Sequence, residues 1–108
     1  MRHVMVVLAI AALAAVHAAP AVAQDDAVIT KGKSVFAAQK CAMCHAVEGK
    51  GNKNMPLDGI GGRMSADDIR KWIVSPRDMK ADTKMKAYPS LTAGDLDNLV
   101  AYLASLKK

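Results

Sequence analysis

Five consecutive residues, Cys41-Ala42-Met43-Cys44-His45, constrain this chain more than any other feature. They hold both of its cysteines, and two thiols three positions apart close too small a loop for a disulfide to add much stability. With 108 residues the chain fits one small domain and rules out two independent cores. Its aromatic supply is thin: Phe36, Trp72, Tyr88 and Tyr102. Domains of this size often complete their core with a metal, disulfides or another non-protein group. The composition therefore calls for a group held at residues 41–45.

The N-terminal segment narrows the donors available. Arg2 gives a positive start, Val4–Val16 carries no polar side chain, and Ala21-Val22-Ala23 is a small-residue cleavage site. This is the pattern of a secretory signal peptide, and the apolar run is shorter than the ~20 residues of a spanning helix. Residues 1–23 are read as the signal and 24–108 as the domain. His3 and His17 leave with it, so His45 is the one histidine of the mature chain. The formal charge falls from +5 to +4 when Arg2 is removed. No cysteine follows the cleavage site, so a lipid anchor at the new N-terminus is excluded, and no stable membrane insertion is expected after cleavage.

A Cys-x-x-Cys-His run in such a chain reads as a c-type haem attachment site. Each thiol forms a thioether to one porphyrin vinyl group, and the adjacent imidazole is then close enough to coordinate the iron. Three rivals share the pentapeptide. Structural zinc needs four protein ligands, and two Cys and one His leave a carboxylate to complete the set. A redox-active dithiol belongs beside a β-α-β pattern, which is absent. A plain disulfide remains the third.

The mature chain reads as all-α, with three or more helices joined by glycine-rich loops. No segment shows the alternation of a strand. Asp25 or Asp26 caps a first helix running to about Lys40, with Val28, Gly32, Val35 and Phe36 on one face. Gly32 lowers helix propensity, which a close helix–helix crossing explains. A loop spans 48–62. Ser65-x-x-Asp68 resembles a capping box ahead of Ile69, Trp72 and Ile73, and Ser75-Pro76 ends that segment. Residues 77–90 have weak periodicity. Thr92-x-x-Asp95 opens a last helix with Leu96, Leu99, Val100 and Leu103 in a stripe.

Taken together, Gly32…Phe36…Cys41-Ala-Met-Cys44-His45, Pro56-Leu57-x-Gly59-Ile60-x-Gly62-Arg63, Thr83-Lys84-Met85 and Asn98-Leu99-Val100-Ala101-Tyr102-Leu103 resemble the small class I cytochromes c over nearly the whole mature region. The resemblance implies helices wrapped around one covalently attached haem c, the first and last crossing where Gly32 and Phe36 meet Leu99 and Tyr102. Thioether sulfur suits the second axial position of the iron. The mature chain has five methionines, Met43, Met55, Met64, Met79 and Met85, and methionine is most often adaptable core filling. Met43 lies within the attachment motif, Met55 precedes the loop proline and Met64 begins a helix. Met85, in Thr-Lys-Met, matches the ligand loop of the family; Met79 and an open iron are the alternatives. The resemblance also implies that the Pro56 carbonyl accepts the other ring N–H of His45, and that Arg63 and Trp72 donate to the haem propionates. Plainer roles are a loop proline, a solvated arginine and a core tryptophan.

An iron with both axial positions filled has no room for a substrate, so the expected function is one-electron transfer rather than catalysis. Lys40, Lys50 and Lys53 flank the attachment loop and Lys80, Lys84 and Lys86 flank Met85. Near the haem edge they would steer acidic partners: a donor dehydrogenase or quinol-oxidising complex, and an acceptor oxidase or reductase. Service as the haem subunit of a periplasmic oxidoreductase is the alternative, and a ligand-binding or peroxidatic haem protein is a third. The expected compartment is the bacterial periplasm. Nucleic acid is not an expected partner of an exported chain without aromatic–basic interleaving.

Overall fold

A computed structural model describes residues 25–108. The signal-peptide expectation for 1–23, with His3 and His17, lies outside the described residues. Helix α1 spans Asp26–Ala38, and Asp25 caps it: its Oδ1 accepts from the Ala27 N–H at 3.0 Å. The last helix, α5 (Ala93–Ser105), is capped by Thr92, whose Oγ1 accepts from the Asp95 N–H at 3.1 Å. These two helices form the scaffold. They meet at Gly32, where a Cβ would run into the Asn98 carbonyl and the Tyr102 Cβ. One turn on, Phe36 and Tyr102 pack edge to face, 5.8 Å between centroids. Leu99 is only 2% exposed, a burial that contributes about 1.5–3 kcal/mol.

Between them lie three short helices, α2 (Ile60–Arg63), α3 (Ala66–Val74) and α4 (Pro76–Met79). Ser65 starts α3 by accepting from the Asp68 N–H at 3.1 Å, and Ile69 and Ile73 face the core. Only this half of the capping box is made. Pro76 ends α3 and, with no N–H to satisfy, occupies the first turn of α4. Helix α2 lies so close to α5 that a Cβ on Gly61 would meet the Ala104 backbone.

The all-α reading holds with one local difference. A two-strand hairpin, β1 (Ala46–Val47) and β2 (Lys50–Gly51), follows the cysteine motif, with Ala46 opposite Gly51. Glu48 and Gly49 at its tip have φ of 51° and 77°, the positive pair that a tight antiparallel turn requires. Strands of two residues are too short to show alternation in a sequence, so this segment reads there as part of a loop.

Candidate functional site

Lys40 leaves α1 with φ 57° and folds the chain into a 3₁₀ turn over Cys41–Met43. The Met43 N–H donates to the Lys40 carbonyl at 3.1 Å, and the Cys44 and His45 N–H groups both donate to the Cys41 carbonyl, at 3.2 and 3.0 Å. The turn places half-buried Cys41 and His45 on an apolar cleft and leaves Cys44 exposed, outside the cleft lining. Both thiols are free, and burial pushes the Cys41 thiol up from its ordinary value.

The cleft measures about 300 Å³ and runs between α3, α5 and the 80–88 loop. Phe36, Leu57, Ile69, Ile73, Leu99 and Leu103 form its floor, and Trp72 and Tyr88 also line it. A larger opening of about 660 Å³ lies between α4 and the 81–87 segment. It is mostly polar, and neither the cysteines nor His45 reach it, so the smaller apolar cleft is where the chemistry converges.

His45 Nδ1 lies 3.1 Å from the carbonyl of Met55, not that of Pro56. The resemblance-based expectation is therefore corrected by one residue, and the backbone explains why. Pro56 pairs with Ala46 in an isolated parallel bridge. Such a bridge uses the groups flanking its central residue: the Ala46 N–H donates to the Met55 carbonyl (3.3 Å) and the Leu57 N–H to the Ala46 carbonyl (2.8 Å). Proline, lacking an N–H, suits the central place. The Met55 carbonyl thus accepts from His45 Nδ1–H and holds that edge of the imidazole, which leaves the Nε2 lone pair free.

Of the five methionines, Met55, Met64 and Met85 line the cleft; Met79 and Met43 do not. Met43 is 70% exposed. Met55 comes from the segment that holds His45, and Met64 packs against the core where α3 begins. Met85 enters from the loop after α4, its N–H donating to Thr83 Oγ1 at 3.2 Å. Arg63 is held against the backbone of its own loop. It lies outside the cleft lining, its Nη1 donating to the Asp58 carbonyl at 2.9 Å, where it braces the loop ahead of α2. Trp72 lines the cleft.

Lys40, Lys50, Lys53, Lys80, Lys84 and Lys86, the lysines flanking the two loops, are all exposed, and Lys80 reaches the cleft mouth. Among the described residues the one ion pair joins Arg70 to Asp97 at 2.7 Å, so these lysines are free of acidic partners there. Lys86 Nζ sits 5.4 Å above the Tyr88 ring. Burial raises the Tyr88 phenol above its ordinary value, with nearby Cys41 and Cys44 adding to the effect.

Two thiols, one imidazole with its orientation fixed and an apolar slot make a donor set that fits a flat porphyrin. No three His, Cys, Asp or Glu side chains converge among the described residues, so a zinc site of protein ligands is not assembled. Asn52, which holds the attachment turn, was not singled out by sequence, whereas Thr83, which accepts from the Met85 N–H, was read only as part of the Thr83-Lys84-Met85 motif. The one available signal was an Asn two residues ahead of another, a local turn former.

Comparison with known proteins agrees. The family model described as Cytochrome c matches residues 29–107. Cytochrome c oxidase subunit 2 of Alkalihalophilus pseudofirmus is 33% identical over 91 residues, an alignment covering 76% of this chain and 27% of that protein. The chain thus spans about a quarter of the length of this relative. No solved structure gives a significant match.

Proposed function

We propose that this chain, which belongs to the cytochrome c family, is an exported carrier of single electrons with His45 and Met85 as its axial ligands. Membership itself makes it a class I, all-α electron-transfer protein with covalently attached haem c, and Cys41 and Cys44 have the spacing that takes the two thioethers. The observation that carries the finer reading is the convergence of Cys41, His45 and Met85 on one apolar cleft.

When bound, the haem supplies an iron that gains or loses one electron. The protein does the rest. The Met55 carbonyl keeps the Nδ1 proton of His45 in place and makes Nε2 the ligating atom, raising its basicity. The Met85 thioether favours a higher potential than a second imidazole would. Leu57, Ile69, Leu99 and their neighbours exclude water from the slot. Trp72, on the cleft, has an indole N–H suited to a propionate. Lys80 at the mouth and the other exposed lysines attract an acidic partner, and that attraction is screened by salt.

The segment before Gln24 supports export to the bacterial periplasm, and no helix among the described residues is long and apolar enough to cross a membrane. The relative named as an oxidase subunit makes a terminal oxidase the first acceptor to try. It also favours a second reading: the matched region there is part of a longer subunit, so this chain would serve as the haem module of a larger oxidoreductase. Purification from its host, followed by stopped-flow oxidation with an isolated oxidase, separates the two. A protein that migrates alone and transfers electrons at rates falling with added salt is the expected result. Stoichiometric co-purification with a larger protein favours the module. Carbon monoxide binding without denaturant would point to an open iron and ligand-binding or catalytic haem.

A further inference from the structure

The turn that carries both cysteines closes only part of its own hydrogen bonding. Its Lys40 and Cys41 carbonyls accept from Met43, Cys44 and His45, but those of Ala42 and Met43, the two residues between the cysteines, point away from it. Both go to one residue. The Asn52 N–H donates to the Ala42 carbonyl at 3.0 Å, and its Nδ2 donates to the Met43 carbonyl at 3.1 Å. The amide orientation is fixed from the other side, because Oδ1 accepts from the Asn54 N–H at 3.0 Å. Next to it Gly51, at φ 103°, lies so close that a Cβ would meet the carbonyls of His45 and Ala42.

We propose that Asn52 is a positioning residue for the haem-binding turn: it fixes the Met43–Cys44 peptide and so the placement of Cys44 and the direction in which His45 faces the cleft. This rests on the reading of residues 41–45 as the haem attachment site. The Met43 carbonyl is exposed, so water replaces the lost donor energetically but not geometrically. Removing the donor therefore changes the shape of the turn more than the stability of the fold.

The test uses the haem-loaded protein and three variants. Asn52→Ala removes donor and acceptor, Asn52→Asp keeps the acceptor for Asn54 but loses the donor, and Arg70→Ala breaks a distant ion pair as a control. Ferric-state NMR reads the shifted His45 ring resonances and the hydrogen exchange of the Cys44 and His45 amides. Both Asn52 variants are expected to move or split the His45 resonances and speed exchange at Cys44 and His45 several-fold, with exchange at Leu99 unchanged. Arg70→Ala should leave the His45 signals in place. If Asn52→Asp overlays the wild type, Asn52 serves only the Asn54 turn and the proposal fails. It fails equally if exchange rises uniformly, Leu99 included. A wild-type chain without covalent haem would instead overturn the reading on which the proposal rests.

Discussion

The α1–α5 crossing and the Met85 loop are held in opposite ways. At the crossing, Gly32 admits no Cβ, Phe36 and Tyr102 lock edge to face, and Leu99 is sealed from solvent. Through 81–90 the chain has no regular structure, and its backbone is tied by three bonds: Thr83 N–H to the Lys80 carbonyl, Met85 N–H to Thr83 Oγ1, and Tyr88 N–H to the Ile73 carbonyl. The crossing is specified by protein against protein. The loop is specified by little besides those bonds and the place of Met85 and Tyr88 on the cleft. Scaffold and ligand loop should therefore be separable by mutation.

The largest effect belongs to the scaffold. Leu99→Ala leaves a hole in its centre and should cost about 2–5 kcal/mol in denaturant unfolding. Gly32→Ala comes next: helix propensity favours alanine by about 1 kcal/mol, yet the lack of space should make the net change about 1–3 kcal/mol destabilising. A stabilised variant would mean that the helices part easily and would erase the contrast. Thr83→Ala removes an acceptor from the Met85 N–H and should cost about 0.5–1.5 kcal/mol. The cost should fall on the loop, so absorbance reporting methionine ligation is lost at lower denaturant than helical circular dichroism. Coincident transitions would show loop and scaffold to be one unit.

The smallest effect is a pH dependence. Burial, then the charges of Glu48 and Asp58, raise the Tyr102 phenol above its ordinary 10.0. The fold then keeps a proton that the unfolded chain has lost, so stability is complete below about pH 10 and declines as pH rises beyond it. Tyr102→Phe should flatten that decline, with the raised Tyr88 retaining part of it; an unchanged slope would remove Tyr102 from the explanation.

The same contrast decides what was legible in the sequence. Caps and apolar spacing located α1, α3 and α5, and Gly32 announced the crossing, because those features act within a few residues. The hairpin at 46–51 depends on pairing of two-residue strands and leaves no periodic trace. The attachment residues were readable because their chemistry fixes their spacing. The partner of His45 was not: whether Met55 or Pro56 offers its carbonyl is settled by the bridge to Ala46, a contact ten residues away in sequence. The contact of Arg63 Nη1 with the Asp58 carbonyl likewise leaves no trace in the sequence.

The most direct test of the central claim is the absorption spectrum of the exported ferric protein after acid–organic extraction, compared with Met85→Ala. The expected result is haem that stays on the chain and a weak far-red sulfur-to-iron band, present in the wild type and lost in the variant. Extractable haem, or a band that survives the substitution, would contradict the assignment of Cys41, Cys44 and Met85.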